Sequence, residues 1–122
     1  MFTEAIITEV INELKLAELQ EVVVAEKASK VLNGMSFKES VLSFYVPDER
    51  EFYKLTAHPN ANPVDNFGLE NQHFSITTRY GNIHFYNRIV DIDTYCNWDS
   101  TLHVYYYHSH YLKRFEDKIE FH

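Results

Sequence analysis

From Phe2 to Leu16 the apolar residues Ile6, Ile7, Val10, Ile11 and Leu14 return on one helical stripe, with Glu4, Glu9 and Glu13 off it. That spacing predicts an amphipathic helix. A second set, Leu16, Leu19, Val23, Val24, Ala28, Val31 and Leu32, can share one face of another helix that stops at Asn33-Gly34. The β-branched run Val22-Val23-Val24 inside it also fits a short strand.

Beyond Gly34 the period becomes two. Leu42, Phe44 and Val46 alternate with Ser43 and Tyr45; "PDER" reads as a turn; Tyr53, Leu55 and Ala57 alternate with Lys54 and Thr56. A hairpin is expected there. Residues 58–72, "HPNANPVDNFGLENQ", have no period and are rich in Asn and Pro, which marks either a lid or contact loop or a plain solvated crossover. Phe74, Ile76, Thr78 and Tyr80 then lead through Gly81-Asn82 to Ile83, Phe85 and Ile89. A type II′ turn at Gly81-Asn82 would pair Tyr80 with Ile83, Thr78 with Phe85 and Phe74 with Ile89. On the other face it would pair Thr77 with Tyr86 and Arg79 with His84.

"CNWDS" reads as a further turn into a strand over 101–112, setting Asp93 against Val104, Asp91 against Tyr106 and Ile89 against His108. The tail "YLKRFEDKIEFH" fits a strand or a helix. The order of elements predicts one α+β domain over residues 1–122, with two N-terminal helices packed on one face of a curved antiparallel sheet of four to five strands.

Within the last strand, "HVYYYHSHY" (103–111) holds three histidines and four tyrosines with no charged residue. Alternation puts Leu102, Val104, Tyr106, His108 and His110 in one row and His103, Tyr105, Tyr107, Ser109 and Tyr111 in the other. The aliphatic start of the first row suits a core under the helices. The tyrosine row then faces away from them, joined by Tyr86 and by Phe67 and Asp65 of the 58–72 loop; these seven residues, His103, Tyr105, Tyr107, Tyr111, Tyr86, Phe67 and Asp65, form the candidate partner-binding set, since tyrosine combines apolar area with a hydroxyl. His108-x-His110 with Asp91 or Asp93 is the competing possibility, a ligand set for zinc or ferrous iron or an acid–base group. Histidines at a solvated strand end, and aspartates at a sheet edge, account for the same residues without chemistry.

Composition narrows the choice. The chain is 45% hydrophobic and 16% aromatic with only 3 Gly and 3 Pro, a packed globule. Lysine and arginine total 11 against 18 acids, a formal charge of -7, which disfavours nucleic acid and anionic membrane and favours a basic protein partner. The lone Cys96 excludes an internal disulfide, lacks a basic neighbour that would make it nucleophilic, and fits a reducing, cytoplasmic setting. The opening residues carry no basic leader pattern, and no run is long and apolar enough to span a membrane. No nucleotide-binding or hydrolase motif occurs, so no cofactor and no bound metal are expected, and the chain resembles no family by motif.

The reading is a small acidic protein-binding module without catalysis of its own, an inhibitor or immunity-type antagonist that occupies the basic surface of a nucleic-acid-handling protein. The alternative is a pocket-forming enzyme or ligand-binding domain built on the His/Asp set. Homodimerisation through the aromatic sheet is a further possibility.

Overall fold

A computed structural model describes residues 2–35 and 41–115. The elements run α1 (Glu4–Glu13), a 3₁₀ turn (Leu16–Glu18), β1 (Val23–Val24), α2 (Glu26–Leu32), β2 (Leu42–Tyr45), α3 (Glu49–Thr56), β3 (His73–Thr78), β4 (Gly81–Tyr86), α4 (Ile92–Tyr95), β5 (Cys96–Asp99), β6 (Val104–Tyr107) and α5 (Ser109–Phe115). The architecture is α+β. Among the described residues no helix is long and apolar enough to cross a membrane.

The α1 stripe forms as expected: Thr3 caps the helix by accepting from the Ile6 N–H, and Ile7, Val10 and Ile11 are buried. Lys15 then turns the chain with a left-handed backbone, φ 56°. The expected second helix is broken. Val23 and Val24 take the strand alternative, because β1 lies at the centre of the sheet, where β-branched side chains pack on both faces, and of the expected helix only Glu26–Leu32 is α-helical.

Among the described residues the sheet has six strands in the order β3-β4-β2-β1-β6-β5, and it is mixed rather than antiparallel. β1 pairs antiparallel with β2 but parallel with β6, and β2 pairs parallel with β4. The expected second arm of the 42–57 hairpin is instead α3. Asp48 caps it by accepting from the Glu51 N–H, Glu49 and Glu51 fill the first turn, and Phe52 and Leu55 reach the core three residues apart. Capping thus prevails over the weak alternation of Tyr53, Leu55 and Ala57.

The β3–β4 hairpin exists in another register. Ile76 faces Ile83, Phe74 faces Phe85, and the turn is Arg79-Tyr80, with the positive φ of 102° taken by Gly81 after it. The C-terminal strand is also shorter than expected. "CNWDS" supplies β5 instead of a turn, so Asn97 faces Tyr106 and Asp99 faces Val104, displacing the expected Asp91 and Asp93 pairings. Asp99 makes the turn by accepting from the N–H groups of Thr101 and Leu102, both at 2.9 Å. Residues 109–115 are helical; the rest of the predicted tail, 116–122, lies outside the described residues.

Both sheet faces are covered. One carries the cross-strand row Val24, Phe44, Phe85 and Phe74, packed under α1 and α3, with Phe52 edge-on to Phe74 at 5.2 Å. The other carries Val23, Tyr45 and Tyr107, covered by Leu112 of α5 and flanked by Val90, Ile92 and Tyr95. The helix layer therefore lies on two faces, not one.

β1 is two residues long, and α2 completes what it leaves open. The Ser29 hydroxyl donates to the Val24 carbonyl at 2.8 Å and accepts the Tyr107 N–H at 3.0 Å, while Asn33 Nδ2 donates to the Tyr107 carbonyl at 2.8 Å. Ser29 is fully buried, so its hydroxyl splices β1 to β6 where the parallel ladder ends. Ser29→Ala removes one oxygen atom and leaves a buried donor and acceptor apart; unfolding by urea should show a loss of about 1–3 kcal/mol, and a neutral result would show that the splice is not needed.

Candidate functional site

The tyrosines do lie on the face away from α1, but that face is not open. Tyr107 is only 5% exposed, and Tyr111 reaches over it from α5, ring on ring at 4.8 Å, rather than from the strand. Tyr45, absent from the candidate set, is the most buried of them: its hydroxyl donates to buried Glu26 at 3.0 Å and accepts from Arg88 at 3.1 Å. Burial, reinforced by Glu26, pushes the phenols of Tyr45 and Tyr107 far above the ordinary tyrosine range. Burial also pushes the Cys96 thiol up to about 12, with Glu26 and Asp91 adding to it, so the thiol is protonated at neutral pH. Tyr86 and Tyr105 are half-buried, and exposed His103 sits in the β5–β6 turn against Trp98.

The His108, His110 and Asp91 grouping does not form. His108 caps α5, its Nδ1 accepting the Tyr111 N–H at 3.1 Å and its Nε2 within 3.2 Å of the Thr94 carbonyl. Asp91 caps α4 by accepting from Thr94, Asp93 is exposed in the first turn of that helix, and His110 lies exposed on α5. Among the described residues no three His, Cys, Asp or Glu side chains gather where they could share a metal ion.

A different constellation stands on β3 and β4. Asp65 Oδ2 lies 3.3 Å from His73 Nδ1, and His73 Nε2 lies 2.8 Å from His84 Nδ1, with Tyr86 stacked on His73 at 4.5 Å. A nitrogen-to-nitrogen contact needs one donor and one acceptor. With the His73 Nδ1–H directed at the carboxylate, neutral His73 accepts from His84 through Nε2. Burial, then the neighbouring His73, holds the His84 pKa below the usual histidine value.

These side chains clasp the 58–72 loop onto the sheet edge. The Asn62 N–H donates to the Ser75 carbonyl at 2.8 Å, Thr77 donates to Asn60 at 3.1 Å, and Asp65 and His73 exchange backbone bonds of 2.7 and 3.2 Å. The loop thus lies along β3 as an added strand, which is how an edge is protected from foreign pairing. Its tip is braced by buried Gln72. The Gln72 amide oxygen accepts from Tyr53 Oη and from the Gly68 N–H at 2.9 Å, and its nitrogen donates to Asn87, which in turn holds the carbonyls of Val46 and Pro47. Asn66, Gly68 and Asn71 all have positive φ, which draws the tip tight.

On that braced tip stand the most exposed large apolar side chains of the described residues: Phe67 at 71%, Leu69 at 69% and, from the segment after β4, Ile89 at 90%. Leu69 and Ile89 rim an open concavity of about 720 Å³ that also includes Pro47, Glu49, Glu70 and Arg88. Of the candidate set, Phe67 and Asp65 belong to this region, whereas Tyr105 and His103 lie at the far edge of the sheet with Trp98. Comparison with protein-family models, with curated proteins and with solved structures returned no significant match, which leaves geometry to carry the functional reading.

Because the folded chain holds His84 neutral more strongly than the unfolded chain does, its contribution is complete above the ordinary histidine pKa of about 6.5 and is lost as pH falls through the lower folded value. Unfolding free energy should therefore decline on acidification below that point, and the decline should be shallower in His84→Gln. Identical pH profiles would show that the clasp does not titrate.

Proposed function

We propose that the protein is a small acidic binding module that docks the tip of its 58–72 loop, together with Ile89, onto a basic protein, in the manner of an inhibitor or immunity-type antagonist of a nucleic-acid-handling protein. The observation that carries this reading is the exposure of Phe67 and Leu69, on a loop tip held by part-buried hydrogen bonds, and of Ile89 beside it. Clustered apolar groups in water are unfavourable, and a rigid loop that nevertheless presents them is suited to a partner. Burying each aliphatic side chain would contribute about 1.5–3 kcal/mol, and the braced tip has little conformational entropy left to lose on binding.

Glu49 and Glu70 beside the concavity match a cationic surface, and the overall charge of -7 steers encounter with one. Arg88 lies on the same rim but is already engaged with Tyr45. The partner class is thus a positively charged protein surface with an apolar recess.

A photo-crosslinking residue placed at Leu69 in the native host should capture a basic protein that the same residue at exposed Glu18 does not. With that protein purified, Leu69→Asp and Ile89→Asp should each weaken binding at least tenfold without lowering the melting temperature, and raising salt should slow association. Equal capture at both positions, or affinity unchanged by the substitutions, would refute the docking surface.

A further inference from the structure

Helix α2 ends on Asn33-Gly34, the single Asn-Gly pair in the chain. Two structural demands place it there. Gly34 is left-handed, φ 72°; its N–H donates to the Val31 carbonyl at 3.0 Å, and the Met35 N–H donates to the Lys30 carbonyl at 2.9 Å. That closing geometry asks for glycine through its backbone angle alone, since open space surrounds the position. Asn33 must in turn reach β6: its Nδ2 donates to both the Tyr107 and the Ser29 carbonyl, each at 2.8 Å.

The same pair carries a chemical liability. Glycine has no Cβ to shield its amide nitrogen, so an asparagine before it is open to attack by the backbone. In the folded chain both reacting groups are occupied. The Gly34 N–H is spent on Val31, and the Asn33 amide is held by two carbonyls through the nitrogen that would leave, so any rotation that brings Cγ to the Gly34 nitrogen must first break the bond to β6.

We infer that Asn33-Gly34 is a deamidation site that docking of β6 keeps closed, and that its product cannot restore the join. When Tyr107 leaves, the Gly34 nitrogen gives its proton to solvent and bonds to Asn33 Cγ; the Cγ–Nδ2 bond breaks, and ammonia departs with a proton from water. Water then opens the cyclic imide. Cleavage of the new Cγ–N bond leaves aspartate at position 33, and cleavage of the original peptide C–N bond leaves isoaspartate; one water is consumed, one ammonia is released and nothing is oxidised. Either product is wrong for the site. An aspartate carboxylate accepts and cannot donate, so it meets the Ser29 and Tyr107 carbonyls as like partial charges. Isoaspartate also lengthens the main chain by one carbon and displaces the closing bonds of Gly34 and Met35. Each chain that loses β6 for long enough is thereby marked and barred from refolding, whatever the loop tip binds.

Peptide mass spectrometry of the full chain, held at mildly alkaline pH either folded or in urea, follows the conversion directly. The change from amide to acid at Asn33 should be at least about tenfold faster in urea, whereas exposed Asn60, followed by Ala61, stays unconverted in both. Ser29→Ala, which loosens the same join, should raise the rate in the folded chain. Gly34→Ala should slow conversion in urea, a readout that does not require the variant to fold. On return to buffer the parent chain should lose refolding yield in step with conversion, and Asn33→Asp should lower the melting temperature where Asn60→Asp does not. Equal rates in the folded and unfolded chain, converted chains that refold in full, or an Asn33→Asp chain as stable as the parent would each overturn the inference.

Discussion

The sheet depends on two valines. Among the described residues Val23 and Val24 form the only strand that touches both halves, with β2, β4 and β3 to one side and β6 and β5 to the other. Two residues supply too few backbone bonds to hold six strands together, so side chains extend the join: the Ser29 hydroxyl and the Asn33 amide on β6, and the bond from Tyr45 to Glu26 on β2. Buried Ser29 and Glu26 on a seven-residue helix, and half-buried Asn33 at its C-cap, are thus structural groups, each with a partner, and their placement follows from the shortness of β1.

The same join explains which parts of the fold could be read from sequence. Period-3.6 spacing finds α1, and period-two alternation finds β2 and the faces of β3 and β4; in β2 that alternation separates two cores, Phe44 in one and Tyr45 in the other. The α3 helix was hidden because eight residues can fit both periods, and only the cap at Asp48 separates them. The central strand is legible only as an alternative to helix: Val22-Val23-Val24 sits between sequences that both favour helix, and its strand state is decided by β2 and β6, which lie far along the chain. Parallel pairing leaves no local mark, so an all-antiparallel sheet was the natural expectation.

The candidate site was legible in its ingredients and not in its geometry. Residues 58–72 stood out as aperiodic, and Phe67 and Asp65 within it were singled out. The Asp65, His73 and His84 clasp depends on the β3–β4 register, and a turn placed at Gly81-Asn82 sets His84 opposite Arg79 instead of opposite Ser75, beside His73. Reading Ile76 and Ile83 as the cross-strand pair would have brought the two imidazoles together. The tyrosine run around 105–107 misled for another reason: α5 folds back on it, and what looks like a contact surface along the strand is a second core. Ile89, expected on a strand opposite Phe74, lies beyond the end of β4 and is 90% exposed, because Phe85 takes the place opposite Phe74.

The parallel alignment of β1 with β6 also constrains how the molecule is made. Val23 and Val24 emerge early from the ribosome, yet their second neighbour, Val104–Tyr107, is synthesised some eighty residues later. Until then the central strand has β2 at most, and its other side is an unpaired apolar ribbon. Nascent chains of this protein pass through a long interval with that ribbon exposed, which makes its early residues a natural target for chaperones and ties completion of the sheet to the arrival of its last strand.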